Sequence, residues 1–299
     1  MARRKKDKKS LLISLIVVII LAVFATNSEG IIPEKGGYTL PEGSAYVHFI
    51  DIGQGSATLV TCGDKTILID TGEKDYSSTL IRYINSCGVD KLDYVIASHP
   101  HSDHIGGMAD VINSFSIGTF LMPELTERNI PDTRVYERMI DALVEKEVNS
   151  VYSEFGDKYT LCDGVTFEFF GPCEQTDDLN NMSAIVKLSV NGTDFMLLAD
   201  AERQELSSVY EAYPYADYKA DVLAMGHHGS STSIHTAFLK AVDADVAVIS
   251  CGRNNSYGHP HKEALDYINN NKLTAYRTDL DGDIVFECDA DGYRRYEKK

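Results

Sequence analysis

The segment SHPHSDHIGG, residues 98–107, contains three histidines and one aspartate within a span of six residues. This segment directly follows the run LDYVIA (92–97), whose apolar residues predict a buried strand. Pro100 and the closing pair Gly106-Gly107 predict a tight loop rather than a regular helix. Imidazole nitrogens and carboxylate oxygens are suitable ligands for Zn²⁺ or Mn²⁺. The segment therefore predicts part of a metal site.

One short loop cannot complete the coordination of two ions, so further ligands are expected from elsewhere in the chain. Asp200 follows the apolar run MLLA (196–199), and His227-His228 follow the run VLAM (222–225). A third pair of histidines occurs in YGHPH (257–261). Seven of the nine histidines thus lie in loops that follow strands. His48, inside a strand, and His235, near a helix start, are interpreted as structural residues.

The remaining pattern is one of short strands and helices. Residues 45–51, 56–61 and 66–70 predict a three-stranded meander, because glycines separate three β-rich runs. Further strands are predicted at 92–97, 167–170, 184–190, 194–198, 222–225, 246–250, 273–277 and 283–288. Helices are predicted at 77–87, 131–148, 202–210, 236–242 and 261–269. Two strand-rich halves, each with helices, favour two sheets packed face to face with helices outside.

The N-terminal residues have the composition of a targeting segment. Six basic residues among the first ten precede an uncharged apolar run, Leu11–Ala25. We interpret residues 1–26 as a signal peptide or a signal anchor, and residues 27–44, with their Gly, Pro and charged residues, as a linker. The positive-inside rule then places residues 45–295 on the extracellular face of the membrane, or in the medium if the segment is cleaved. An even number of cysteines, six, permits up to three disulfides, but mostly buried thiols are expected.

The charge distribution excludes one class of function. The chain carries 28 basic and 45 acidic residues, a net charge of −17. The first ten residues hold six of the basic and one of the acidic ones, so the remainder carries −22. A broad basic surface for nucleic acid is incompatible with this charge, and contact with phosphate must be local. No GxGxxG or GxxxxGK[ST] motif occurs, so no nucleotide cofactor is expected.

The segment HPHSDH resembles the HxHxDH signature of the metallo-β-lactamase fold. Ordered segments are similar to those of the hydrolase domain of ComEC-type competence proteins, and the core is also similar to phosphorylcholine esterases. The segments are VHFIDIGQGSATLV, TILIDTG, SHPHSDHIGG, LNNMSAIVKL, FMLLADAE, VLAMGHHGS, NNSYGHPH and YRTDLDGDIVF. The resemblance covers about residues 45–295. It implies an α/β fold, an αββα sandwich preceded by one N-terminal apolar helix, with two divalent metal ions, Zn²⁺ or Mn²⁺.

The resemblance also implies roles for individual residues. His99 and His101 would hold the first ion, Asp103 and His104 the second, and Asp200 would bridge both. His227 is favoured over His228 to complete the second site, because it is nearer to its strand. The wider fold supplies another histidine to the first site from the loop that here reads Asn180-Asn181-Met182-Ser183. A water or weaker ligand is expected in its place.

The other candidate residues would act around the ions. The candidates for proton transfer are His259, His261 and His228. Those expected to orient ligands or contact substrate are Asp51, Asp70, Asn181, Ser183 and Ser230.

The function implied is hydrolysis by two metal ions, with DNA as the first phosphodiester substrate considered. Two departures weaken phosphate binding: Ser56 stands where the branch often has Asp, and Ser231 where it often has Lys. The alternatives are a phosphodiesterase acting on a cell-envelope ester, such as phosphorylcholine on teichoic acid, and another hydrolase that opens β-lactams or lactones. A non-catalytic binding module, tethered to the membrane by an uncleaved N-terminal helix, is the alternative of a different class.

Overall fold

The computed structural model describes residues 44–296. Its strands, numbered along the chain, are β1 (Ala45–Phe49), β2 (Thr58–Cys62), β3 (Lys65–Ile69), β4 (Lys91–Ile96), β5 (Ser116–Pro123), β6 (Asn149–Ser153), β7 (Lys158–Cys162), β8 (Val165–Phe169), β9 (Val186–Val190), β10 (Thr193–Leu197), β11 (Val222–Ala224), β12 (Val246–Ile249), β13 (Thr274–Arg277), β14 (Ile284–Asp289) and β15 (Gly292–Arg295). Its α-helices are α1 (Ser77–Ser86), α2 (Ser102–Ile105), α3 (Met108–Ser114), α4 (Arg134–Glu145), α5 (Arg203–Ala212), α6 (Thr236–Val242), α7 (Lys262–Asn271) and α8 (Thr278–Asp281).

The strands form two sheets. The first sheet has eight strands in the order β15-β14-β1-β2-β3-β4-β5-β6, and the second has seven in the order β13-β12-β11-β10-β9-β8-β7. Strands β3 to β6 run parallel in the first sheet, and β10 to β13 run parallel in the second. The carboxyl ends of parallel strands lie at one edge of a sheet, where ligands commonly bind in α/β proteins.

Side chains of both sheets form the central core. In β3, Ile67 and Ile69 face the opposing sheet, while Leu68 packs on the outer side, as the two-residue period of a strand requires. Helices α1, α3 and α4 cover the outer side of the first sheet, through residues such as Leu80. Helices α5, α6 and α7 cover the second sheet, through residues such as Phe238. The predicted pair of sheets with outer helices is therefore confirmed.

Most of the predicted elements are present, within a few residues at each end. The predicted meander is the antiparallel run β1-β2-β3. The expectation of a loop without helix at the histidine motif is wrong beyond His101, because α2 begins at Ser102. Pro100 excludes helix only at its own position and just before it, and His101 is the extended residue that precedes the helical turn.

One disulfide joins the two sheets. It links Cys62, the last residue of β2, to Cys162, the last residue of β7. Both strands end at the edge opposite the carboxyl ends of β3 and β10, because β2 is antiparallel to β3 and β7 is antiparallel to β8. Cys251 and Cys288 are buried thiols.

The predicted signal or anchor, the N-terminal apolar helix and nearly all of the predicted linker lie outside the described residues. Within residues 44–296, no helix has both the length and the apolar character needed to cross a bilayer.

Candidate metal centre

The predicted ligands meet at one edge of the sandwich, where strands of both sheets end. Asp70 follows β3, and His99 and the rest of the histidine motif follow β4. Asp200 follows β10, and His227 and His228 follow β11. Each sheet therefore contributes to the same group of side chains.

The backbone at this edge adopts strained conformations. Asp70, Ala199, His227 and His228 have φ values of 60°, 46°, 49° and 56°. These residues are not glycine, and left-handed φ values cost free energy in such residues unless the surroundings impose them. Their concentration at the ends of β3, β10 and β11 shows that the fold holds these side chains in particular directions.

Four side chains, two aspartates and two histidines, form a compact group that could hold one metal ion. The group consists of Asp103, His104, Asp200 and His228, whose ligand atoms all lie within 4.8 Å of one another. Nε2 of His104 lies 3.1 Å from Oδ1 of Asp200. Nε2 of His228 lies 3.1 Å from Oδ2 of Asp103 and 3.7 Å from Oδ1 of Asp200. We call this group the second ion site.

A smaller group faces the other oxygen of Asp200. Nε2 of His99 lies 3.0 Å from Nδ1 of His101 and 3.8 Å from Oδ2 of Asp200. Two ring nitrogens that face each other at this distance suit a shared ion, since each can present a lone pair to it. We call His99 and His101 the first ion site. Asp200 lies between the two sites, in the position predicted for a bridging carboxylate.

Neighbouring groups fix the orientation of the ligand rings. Oδ2 of Asp70 lies 2.7 Å from Nδ1 of His104, and the carboxylate also accepts hydrogen bonds from the backbone and hydroxyl of Ser98. Nδ1 of His228 lies 2.9 Å from the carbonyl oxygen of Ser250. When Nδ1 carries the proton in each ring, Nε2 is left to bind a metal. The predicted orienting role of Asp70 agrees with this geometry.

At the second ion site, Nε2 of His104 and Oδ1 of Asp200 are both buried and form no well-directed hydrogen bond, although they lie 3.1 Å apart. Buried polar atoms are rarely left without a partner. Both atoms face the middle of the second ion site, and a divalent cation would satisfy both. Imidazoles and carboxylates are also the donor set that Zn²⁺ and Mn²⁺ use, so the residues present fit a metal ion.

The pKa values of the side chains in the two ion sites are strongly shifted by their neighbours. Burial alone would raise the pKa of Asp200, but His104 and His228 hold it well below its usual range. Burial alone would lower the pKa of His104, but Asp200 and Asp70 hold it well above its usual range. Burial and the neighbouring His104 keep the pKa of His99 well below its usual range. The site thus keeps its carboxylates charged and needs positive charge beside them.

The preference for His227 as the ligand of the second ion site needs correction. The compact group contains His228, while Nε2 of His227 lies 3.6 Å from Oδ2 of Asp200, the oxygen that faces the first ion site. Distance from the strand did not decide the matter, because left-handed backbone at both residues turns the two rings apart. Their ring planes are inclined at 71°. His228 is therefore placed as a candidate ligand rather than as a proton-transfer residue.

The two histidines of the YGHPH segment have different surroundings. His261 accepts a hydrogen bond from the backbone of Ser231 at Nδ1, and its Nε2 lies 3.1 Å from the carbonyl oxygen of Tyr257. Both ring nitrogens are used by the backbone, so His261 is a structural residue and not a proton donor. His259 lines the cleft, and its buried Nδ1 has no partner among the described residues.

Three other candidates hold the backbone rather than the substrate. Oδ1 of Asn181 accepts hydrogen bonds from the backbone of Glu202 and Glu205, where α5 begins. The hydroxyl of Ser183 accepts one from the backbone of Asp200. The hydroxyl of Ser230 accepts one from the backbone of Thr232.

Asp51 does not approach the ligand histidines. It is exposed and accepts a hydrogen bond from the backbone of Gly53. It lines a separate cavity of about 650 Å³ together with Asp75 and Asp279. The sequence placed it at the end of a strand, but β1 ends two residues earlier and the chain turns away.

The cleft that opens onto the two ion sites has a volume of about 290 Å³. Its lining residues are Gln54, His101, Ser102, Asp103, Asn180, Asp200, His227, His228, Tyr257 and His259. Of these described lining residues, none is a lysine or arginine. Sequence analysis missed Gln54, Asn180, Tyr257 and the nearby Glu202. The glycines on both sides of Gln54 were the available signal for a constrained loop there.

Comparisons with known proteins show the family to which the chain belongs. The family model for the metallo-beta-lactamase superfamily matches residues 50–253. ComE operon protein 3 of Bacillus subtilis (strain 168) is 30% identical over 260 residues, which cover 80% of this chain and 32% of that protein. Competence protein ComA of Neisseria gonorrhoeae is 30% identical over 249 residues, covering 83% of this chain and 33% of that protein. The chain therefore spans about a third of the length of these curated relatives.

One solved structure supports the fold independently. The metallo-beta-lactamase fold protein YhfI from Bacillus subtilis superposes with a TM-score of 0.55. The match covers 81% of this chain and 99% of that chain, at 15% sequence identity. Identity at this level carries information about the fold alone.

Proposed function

Because the chain belongs to the metallo-β-lactamase superfamily and its homologues are competence proteins, we propose that it is a two-ion phosphodiesterase that hydrolyses DNA. The observation that carries the proposal is the position of Asp200. Its Oδ1 faces His104 and its Oδ2 faces His99, so one buried carboxylate lies between two sets of imidazoles. A two-ion centre is well suited to displacement at phosphorus.

The protein side chains bind and orient in this reaction. When bound, two divalent ions supply a hydroxide nucleophile near neutral pH and stabilise negative charge on the phosphate oxygens. Asp70 and Ser250 hold the rings of His104 and His228 in the ligating orientation. At the floor of the cleft, His99, His104 and His228 are buried, while His227 and Asp103 are partly exposed to it.

His259 is the remaining candidate for handling a proton. Burial and the neighbouring His228 lower the pKa of His259 to about 4, so the ring is neutral at pH 7. A neutral imidazole is better placed to accept a proton than to donate one. We therefore assign His259 to orienting a water or a substrate oxygen by hydrogen bonds, in place of the predicted protonation of the leaving oxygen.

The charge around the cleft favours a second candidate substrate. None of the described residues that line the cleft is a lysine or arginine, and Glu202 lies beside His227. A long polyanion therefore gains no ion pair with a lysine or arginine of the cleft, whereas a zwitterionic ester is less disfavoured by the acidic surroundings. The second candidate is therefore a cell-envelope phosphodiester with a cationic headgroup, such as phosphorylcholine on teichoic acid.

We also propose that residues 45–295 form the catalytic domain and act outside the cytoplasm. The composition of residues 1–26 supports export, either as a cleaved signal or as a membrane anchor. The Cys62–Cys162 disulfide is a second support, because such bonds persist in oxidising compartments.

The test is turnover of four substrates by the full-length protein, with Mn²⁺ and Zn²⁺ added separately. The substrates are linear DNA, bis-p-nitrophenyl phosphate, p-nitrophenyl phosphorylcholine and nitrocefin. The matched control is Asp200→Ala. We expect metal-dependent cleavage of DNA and of bis-p-nitrophenyl phosphate. Preference for p-nitrophenyl phosphorylcholine would support the second candidate, and cleavage of nitrocefin alone would exclude both. No turnover of any substrate, with metal bound, would support the non-catalytic module.

A further inference from the structure

We propose that His227 is a ligand of the first ion site, beside His99 and His101, and that Glu202 positions its ring. The adjacent histidines would then divide between the ions, with His228 serving the second. This inference rests on the two-ion centre of the proposed function and specifies which side chains complete it.

Four imidazole rings are arranged around the carboxylate of Asp200. Oδ1 of Asp200 is the oxygen nearest His104 and His228, at 3.1 Å and 3.7 Å. Oδ2 of the same carboxylate is the oxygen nearest His99 and His227, at 3.8 Å and 3.6 Å. The four Nε2 atoms thus form two pairs, one on each side of the carboxylate. His227 belongs to the pair that contains His99.

The surroundings of the His227 ring determine which of its nitrogens carries the proton. Its Nδ1 lies 3.2 Å from Oε1 of Glu202 and 3.3 Å from the hydroxyl of Thr232. A carboxylate at this position keeps the proton on Nδ1, and Nε2 then presents a lone pair toward Asp200. Asp70 does the same for His104, an accepted candidate ligand. The Glu202–His227 pair repeats that arrangement on the opposite side of the centre.

The backbone at His227 and His228 holds the two adjacent rings in different directions. The N–H of His227 donates to the carbonyl oxygen of Ala199 at 2.8 Å, so the turn is attached to the loop that holds Asp200. His227 and His228 both have left-handed φ values, and their ring centres are 6.0 Å apart. The fold therefore maintains a strained turn that directs two consecutive rings to two sides of one carboxylate.

The loop at residues 180–183 contacts Glu202 and supplies no histidine of its own. It provides no histidine to the first ion site, and Asn181 is occupied with the backbone at the start of α5. Nδ2 of Asn180 lies 3.4 Å from Oε1 of Glu202. The loop therefore supports Glu202, which in turn orients His227. A ligand expected directly from this loop is replaced by one that the loop helps to hold.

The exposure of the rings agrees with this division. The side chains of His99, His104 and His228 are at most 1% exposed, whereas that of His227 is 22% exposed. The side chain of Asp103 is 23% exposed, so each ion site has one partly exposed side chain that lines the cleft.

The experiment counts bound ions rather than turnover. Metal-free full-length protein is reloaded with Mn²⁺, freed of excess, and analysed by mass spectrometry of the metal. The variants are His227→Ala, His228→Ala, His99→Ala and the double variants His227→Ala/His99→Ala and His227→Ala/His228→Ala. The matched control is Glu263→Gln on the exposed side of α7. Thermal unfolding of the metal-free variants checks that each one folds.

We expect two ions in the native protein and one in each single variant. His227→Ala/His99→Ala should still hold one ion, because both changes affect the same site. His227→Ala/His228→Ala should hold none. In a further variant, Glu202→Ala, titration of the metal-free protein with Mn²⁺ should show the affinity for one ion weakened about 10- to 100-fold and the affinity for the other unchanged.

Two outcomes would overturn the inference. One is two tightly bound ions in His227→Ala. The other is one ion in His227→Ala/His228→Ala together with none in His227→Ala/His99→Ala, which would place His227 at the second ion site. Fewer than two ions in the native protein would instead overturn the two-ion centre itself.

Discussion

Asp70 and His104 form a buried carboxylate–imidazole pair, with Oδ2 of Asp70 2.7 Å from Nδ1 of His104. The pair joins the end of β3 to the histidine motif that follows β4. Asp70 also accepts hydrogen bonds from the backbone and the hydroxyl of Ser98. One side chain thus fixes both a ligand ring and the start of the loop that carries it.

We expect Asp70→Asn to weaken metal binding about 10- to 100-fold without unfolding the protein, because the amide keeps the size of the side chain but loses the charge that orients His104. Asparagine also tolerates the left-handed backbone at this position, where φ is 60°. Competition with a chelator measures the affinity. Asp51→Asn, in the separate cavity, is the control, and equal affinities for the two variants would contradict the assigned role of Asp70.

Asp200→Ala should remove both ions and abolish turnover. The change deletes the only carboxylate that faces both sets of imidazoles among the described residues. His99→Ala and Asp103→Ala should each abolish turnover but lose only one ion. Metal analysis after dialysis provides the measurement, with the exposed Asp64→Ala as the control. Two full equivalents of metal in Asp200→Ala would rule out a bridging role.

Removing the disulfide should destabilise the fold but leave the metal centre intact. The bond closes a loop with a sequence separation of 100 residues, for which the chain-entropy estimate is about 4.7 kcal/mol. We expect the double variant Cys62→Ser/Cys162→Ser to lose about 2 to 4 kcal/mol of unfolding free energy in urea. Its metal content should equal that of the native protein, since the disulfide lies at the edge opposite the site. Loss of metal at unchanged stability would contradict both statements.

Glu205 should make stability depend on pH. Burial raises the pKa of Glu205 to about 7, from 4.5 in an exposed carboxyl. The folded state therefore binds more protons between these values, so its stability is full below pH 4.5 and falls as the pH rises through 7. The cost reaches about 3 kcal/mol by pH 8. Glu205→Gln should lack this decline, measured as the difference in unfolding free energy from the native protein. Parallel pH curves would show that the pKa of Glu205 does not change on folding.

Salt should distinguish the two candidate substrates. Residues 11–299 carry a net charge of −22, and salt screens repulsion from a polyanion, with a Debye length of about 10 Å at 0.1 M. We expect DNA cleavage at saturating Mn²⁺ to rise or stay level up to about 0.15 M NaCl. Cleavage of p-nitrophenyl phosphorylcholine should hardly change. A steep loss of DNA cleavage would indicate a basic binding surface.

The sequence predicts the site region well because its strands are apolar and its ligands follow them directly. The runs ending before His99, Asp200 and His227 each contain consecutive buried residues, which gives a clear signal. Three strands at the sheet margins, β6, β7 and β15, have no such signal. In β6 four of the five residues are exposed, and in β7 and β15 exposed and half-buried residues predominate, so these strands were not predicted.

The division of labour between His227 and His228 is beyond sequence reasoning for a different cause. Two adjacent residues are equivalent in composition and spacing, and only the backbone dihedrals decide where each ring points. Here both residues take left-handed values that no residue type at these positions indicates. His261 shows the same limit, because its two ring nitrogens are occupied by backbone atoms from Ser231 and Tyr257.

The disulfide and the candidate metal centre connect the two sheets at opposite edges of the sandwich. The ions would tie Asp103 and His104 of one sheet to Asp200 and His228 of the other at one edge, while the disulfide ties the sheets at the opposite edge. Because the disulfide holds one edge, any local separation of the sheets would begin at the edge that carries the cleft. Bound ions would oppose that separation, and we expect metal to increase the resistance of the protein to proteases.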